Sequence, residues 1–161
     1  MNNFANGYVK YTNRLEQINE AAKADPCNLV EQIEKAFRQS IEDIAQRIIC
    51  AGHYKVIMLS GPSSSSKTTT AEILTGFLKC LGMDSVTISL DDFYRGVGKA
   101  PRLPSGKYDY ESIEALDVEQ IETCLLNLME HNACDMPVFN FHTKEPFPHK
   151  RHVELLSNQV A

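Results

Sequence analysis

The chain has 161 residues and a formal charge of −5, with 43% hydrophobic and 23% charged residues, the make-up of one ordinary globular domain. An acidic balance supplies no footprint for nucleic acid, and no apolar run approaches the roughly 18 to 20 residues of a membrane span, so neither partner is expected. The opening MNNFANGYVKYTNRLEQ lacks a basic region followed by an apolar stretch, which points to the cytoplasm, and Cys27, Cys50, Cys80, Cys124 and Cys134 show no CxxC spacing and read as reduced thiols.

Tyr11, Leu15, Ile18 and Ala22 recur at helical spacing and predict a first amphipathic helix that ends before Ala24 to Pro26. Asp25 caps a second helix, with Pro26 at its first position, Leu29, Ile33, Phe37, Ile41, Ile44 and Ile48 on one face, and a stop near Gly52. Tyr54 to Ser60 is a short apolar run with β-branched residues and predicts a buried strand. A helix marked by Ile73, Leu74, Phe77, Leu78 and Leu81 follows and ends at Gly82; Ser85 to Leu90 predicts a second strand. Asp91 to Asp109, rich in Gly, Pro and charge, is a long loop of the kind that carries function. Asp117 caps a helix with Val118, Ile121, Leu125 and Leu128 inward and Gln120 placed for a capping box. Pro137 to Phe141 predicts a third strand. This order implies an α/β fold: a parallel sheet with flanking helices, preceded by two N-terminal helices. The extension is taken as residues 1–53 and the domain as 54–161. The basic cluster of Lys144, His149, Lys150, Arg151 and His152 reads as a solvated surface, with a contact to a substrate or nucleotide phosphate as the alternative.

GPSSSSKT, Gly61 to Thr68, stands between a strand and a helix, the setting of a Walker A loop. In that geometry the backbone amides of Ser63, Ser64, Ser65 and Ser66 curl around phosphate and the helix N-terminus, with Thr69 in its first turn, adds its dipole. Lys67 neutralises the β and γ oxygens of ATP, and the Thr68 hydroxyl is placed for Mg²⁺. The usual glycine before the lysine is Ser66, where positive φ would cost a residue with a Cβ on the order of 1 kcal/mol.

Further segments resemble the uridine kinase and phosphoribulokinase family of P-loop kinases, over about Lys55 to Ala161. SLDDFY, Ser89 to Tyr94, looks like its aspartate signature; YDYESIEALD, Tyr108 to Asp117, is similar to its substrate-loop segment; PVFNF resembles its third-strand edge. The resemblance implies a three-layer P-loop kinase fold and Mg²⁺- and ATP-dependent phosphoryl transfer to a nucleoside, uridine or cytidine. It places the catalytic base at Asp91, puts Tyr94, Asp109 and Phe141 on the acceptor, and leaves Asp92 as a candidate for the metal. A carboxylate just past a strand end also suits a base on chemical grounds. A sugar phosphate or pantothenate acceptor, and a nucleotide-binding module or fragment without turnover, are the alternative readings. The family pattern continues into a fourth strand and a lid, whereas this sequence stops where that strand starts, at Asn158 to Ala161, so an incomplete sheet is expected. The N-terminal helices are candidates for homo-oligomer formation.

Overall fold

The computed structural model describes residues 15–62 and 64–161. Tyr11 and Ser63 lie outside them. By its contacts the chain divides into residues 1–40 and residues 41–161. In the first unit, α1 (Leu15–Ala24) contains no buried residue, and α2 (Pro26–Ala51) begins where the sequence expects, with the Asn28 amide donating to Asp25 Oδ1 at 3.0 Å. Val30, Ile33 and Phe37 are exposed. The helical spacing is therefore real, while burial on α2 begins only at Ile41 and includes Ala45 and Ile48.

In the second unit, α3 (Lys67–Cys80) is followed by β1 (Asp84–Ser85), a 3-10 turn over Leu90–Phe93 and the long loop. Then come α4 (Val118–His131), β2 (Ala133–Asn140), β3 (Glu145–Glu154) and β4 (Gln159–Val160). β1 and β4 pair in parallel, Asp84 opposite Gln159 and Ser85 opposite Val160. Tyr54 to Ser60 forms no regular strand. It runs beside the same end of the chain through two backbone bonds, Ile57 N–H to Ala161 O at 2.6 Å and Ala161 N–H to Lys55 O at 2.9 Å.

Of the second expected strand, Ser85 to Leu90, only Ser85 is in a regular strand, Asp84–Ser85, and Leu90 opens the 3-10 turn. The third, expected at Pro137 to Phe141, starts earlier and ends before Phe141, which lies in the turn, and it is antiparallel, paired with β3 rather than placed in a parallel sheet. The physical reason is loop length: a crossover to a parallel neighbour needs a dozen or more residues, and only 141–144 separate β2 from β3.

Two apolar clusters hold this unit. Phe93, Cys124, Leu128, Cys134, Met136, Val153 and Leu155 join α4 to the β2–β3 hairpin and the 3-10 turn. Ala45, Ile48, Leu78 and Val160 join the end of α2 to α3 and β4, with Ile57, Leu74 and Phe77 packed against them. The expected inner face of α4 is confirmed at Leu128, while Val118 is exposed and Cys124 is buried. Asp117 Oδ1 caps α4 by accepting from the Gln120 amide at 3.2 Å. The reciprocal arm of the expected capping box is replaced: the Asp117 amide donates to Phe93 O at 2.8 Å and ties the helix start to the 3-10 turn.

Ser66 adopts φ 61° and ψ 31° at the start of α3, and Ser64 has φ 62°, so two serines of the loop sit in the left-handed region. The Cβ cost there is about 1–2 kcal/mol, and glycine's larger unfolded-state entropy returns about 0.5–1 kcal/mol of it. Ser66→Gly is therefore expected to raise the melting midpoint by roughly 1–4 °C; a lower midpoint in thermal unfolding would show that the loop stores no such strain.

Cys27, Cys50 and Cys80 are exposed, whereas Cys124 and Cys134 are buried. Burial first, and the neighbouring Cys134 second, push the Cys124 thiol up to about 12. Alkylation of the native chain at pH 8, mapped by mass spectrometry, is expected to modify the first three cysteines and to reach the other two only in denaturant; native labelling of Cys124 at the rate of Cys50 contradicts this packing.

Candidate functional site

The phosphate loop is built on a helix start that lacks a side-chain cap. Ser66 makes no cap bond, and the first helical bond runs from the Thr70 amide to Ser66 O at 2.9 Å. The amides of Lys67, Thr68 and Thr69 precede it and have no helical acceptor, which is the donor set that an anion at a helix N-terminus uses. A Cβ on Gly61 would stand 2.7 Å from Ser65 Oγ, so a side chain there would fill the inside of the loop. The Lys67 ammonium donates to Pro62 O at 2.8 Å, and the Ser65 amide donates to the same oxygen at 3.2 Å. Two donors thus converge on one carbonyl. This donor set, with the exposed Thr68 hydroxyl in the first helical turn, fits a nucleotide phosphate and its magnesium ion.

The two acids of the 3-10 turn differ in their hydrogen bonds. Ser89 Oγ accepts from the Asp91 amide at 3.3 Å and starts the turn. Asp92 Oδ1 accepts from the Phe139 amide at 3.2 Å, pinning the turn to β2, and Asp92 is half-buried. The Asp91 side chain is exposed, and its carboxylate accepts no hydrogen bond among the described residues.

Around the turn the structure gathers rings. Tyr94 lies 5.6 Å from Phe139 and 6.2 Å from Tyr110, and Phe139 lies 5.1 Å from Phe141. The Tyr94 hydroxyl donates to Tyr110 O at 3.1 Å. Burial first, then the charges of Asp91 and Glu111, push the Tyr94 phenol above its ordinary value, which keeps it protonated and donating. Asp109 is half-buried, accepts from the Glu111 amide at 3.1 Å through Oδ1, and donates its own amide to Pro101 O at 2.8 Å. Phe141 is 62% exposed, so its outer face is open to a stacking partner.

The predicted residues thus fall into two groups. Gly61 and Ser64 through Thr69 lie in the loop and the helix start; Asp91 and Asp92 lie in the 3-10 turn, with Tyr94 directly after it and Phe141 joined to Tyr94 through the Phe139 ring, while Asp109 makes its side-chain bond to the Glu111 amide and to none of them. No hydrogen bond or ion pair among the described residues joins the side chains of the two groups. Sequence reasoning did not single out Tyr110, the partner of the Tyr94 hydroxyl, nor the part of Phe139 as the ring between Tyr94 and Phe141. The alternation Tyr108, Asp109, Tyr110 was the available signal for the first.

The family model described as "Phosphoribulokinase / Uridine kinase family" matches residues 56–159. A uridine kinase of Schizosaccharomyces pombe is 32% identical over 97 residues, covering 58% of this chain and 21% of that protein. A uridine kinase of Saccharomyces cerevisiae is 32% identical over 95 residues, covering 56% of this chain and 19% of that protein. The chain thus spans about a fifth of the length of these relatives. Among solved structures, a possible uridine kinase from Bacillus stearothermophilus superposes with a TM-score of 0.62 at 22% identity, over 78% of this chain and 69% of that one, a likeness of fold. Loop, turn and ring cluster occur together in a chain that this family model matches over most of its length, and the chain belongs to the phosphoribulokinase / uridine kinase family of P-loop kinases.

Proposed function

We propose that the chain carries the phosphate-binding and acceptor-binding elements of an ATP-dependent kinase that transfers the γ-phosphate to a nucleoside hydroxyl, uridine or cytidine first among them. The observation that carries this reading is the uncapped start of α3, with Lys67 and Thr68 in its first turn, in a chain that also presents an unbonded carboxylate beside a ring cluster.

Each group has a part to perform. Lys67 exchanges the Pro62 carbonyl for the β and γ oxygens, so nucleotide binding replaces a hydrogen bond already present in the loop. The amides of Ser64, Ser65 and Ser66, together with Gly61, cradle the phosphates, and Thr69 continues the helix that supplies the dipole. Ser63 belongs to the same run of loop amides in the sequence. Mg²⁺, when bound, offsets phosphate charge, with the Thr68 hydroxyl and the uncommitted oxygen of Asp92 as its candidate ligands. Asp91 takes the proton of the acceptor hydroxyl as the new P–O bond forms and the bond to the β-phosphate breaks. Tyr94 walls the acceptor, Asp109 accepts from ribose hydroxyls, and Phe141 offers its open face to the base.

The test is Mg·ATP binding and uridine-dependent ADP formation by the purified 161-residue chain. Asp91→Asn is expected to retain ATP binding and to lose about 10²–10⁴ in turnover, the range of a lost general base. Lys67→Ala is expected to lose ATP binding itself. Turnover indifferent to Asp91 removes it as the base, and ATP binding without any nucleoside-dependent ADP leaves a nucleotide-binding module.

A further inference from the structure

Among the described residues no side-chain bond joins the phosphate loop to the acidic turn, yet one helix is tied to the approaches of both. At its start, α4 is joined to the turn. The Asp117 amide donates to Phe93 O at 2.8 Å, and Arg95 holds the residue before the cap, its Nε donating to Leu116 O at 2.9 Å. At its end, α4 is joined to the stretch that leads into the loop. There the Lys55 ammonium donates to Met129 O at 2.7 Å and to Asn132 Oδ1 at 2.8 Å.

Both acceptors are groups that call for a cation. The last four carbonyls of a helix have no helical donor, and the negative end of the helix dipole lies among them. Asn132 follows α4 in the left-handed conformation, with φ 59°. Its amide donates to Leu128 O at 3.2 Å and its carbonyl accepts from the Leu155 amide at 2.6 Å, so the backbone that carries the second acceptor is itself fixed. Lys55 is exposed, but its two side-chain bonds reach across 74 and 77 residues of sequence. Its carbonyl accepts from the Ala161 amide at 2.9 Å, and the Ile57 amide donates to Ala161 O at 2.6 Å. Because the stretch before Gly61 forms no regular strand, few bonds fix it, and this lysine side chain supplies two of them. Between its two tied ends α4 is a single helix of 14 residues, about 21 Å long, with Cys124 and Leu128 buried.

From these contacts we infer that Lys55 is a positioning residue of the phosphate loop: it ties the run-up of the loop to α4, the helix that the acidic turn also holds. The inference rests on the proposed kinase reading for what that placement serves, which is a fixed spacing between the two partners of the transfer. A displacement on the order of 1 Å is enough to cost binding or rate at such a site.

Three variants of the full chain test this. Lys55→Met removes the ammonium and keeps the length of the stem, and Lys55→Arg keeps a donor. Asp25→Ala, which removes the cap of α2, is the control for a general loss of stability away from α4. Hydrogen exchange without ligand is expected to be about tenfold faster at the Ile57 and Ala161 amides in Lys55→Met, and near the parent chain in the other two. Mg·ATP affinity is expected to fall about threefold to tenfold in Lys55→Met and to return in Lys55→Arg. Faster exchange confined to Asn132 and the last turn of α4 makes the lysine a helix cap and overturns the inference. Unchanged ATP affinity beside faster exchange at Ile57 also overturns it, because the run-up then moves without moving the loop. If the parent chain binds no ATP, the kinase reading fails and exchange alone decides: lysine-dependent protection of Ile57 and Ala161 supports the tie, and its absence removes it.

Discussion

The seat of α3 is the constraint from which the site follows. A phosphate loop is mostly backbone, and nothing in four consecutive serines fixes where its amides point. What fixes them is Leu78, 1% exposed, packed with Ala45, Ile48 and Val160 at the far end of the helix. With α3 anchored there, its first turn and its unpaired amides are set in place, and the strained φ of Ser66 is carried by the rest of the fold. Val160 serves twice, since β4 also pairs with β1 and its neighbour Ala161 holds the stretch that leads into the loop. A few buried side chains thereby position a loop that contributes almost no packing of its own.

A second long-range contact organises the 3-10 turn and the rings around it. The bond from the Phe139 amide to Asp92 joins residues 47 apart in sequence and holds the 3-10 turn against β2. It gives two adjacent carboxylates different duties, one structural and one open to solvent. Tyr94, two residues after Asp92, lies 5.6 Å from the ring of Phe139, the residue whose amide makes that bond. Phe93, 2% exposed in the core beside α4, anchors the turn from below.

Features that depend on near neighbours are legible from the residues alone: the loop from Gly61 to Thr68, the cap at Asp25, the cap at Asp117 and the helical stretches that follow them. These are readable because capping, helical periodicity and phosphate-loop chemistry act within about four residues. Strand pairing depends on what lies across the sheet and emerges only once the chain is folded. PVFNF has the composition of a buried strand in either direction, and the short turn at 141–144 made it one arm of a hairpin. Likewise, an apolar stripe marks a helix face without naming its cover, so Ile33 and Phe37 share a face with Ile41 and Ile48 and are nevertheless exposed. The division between Asp91 and Asp92, and the bond from Tyr94 to Tyr110, were decided in the same way, by groups that spacing along the chain cannot bring together.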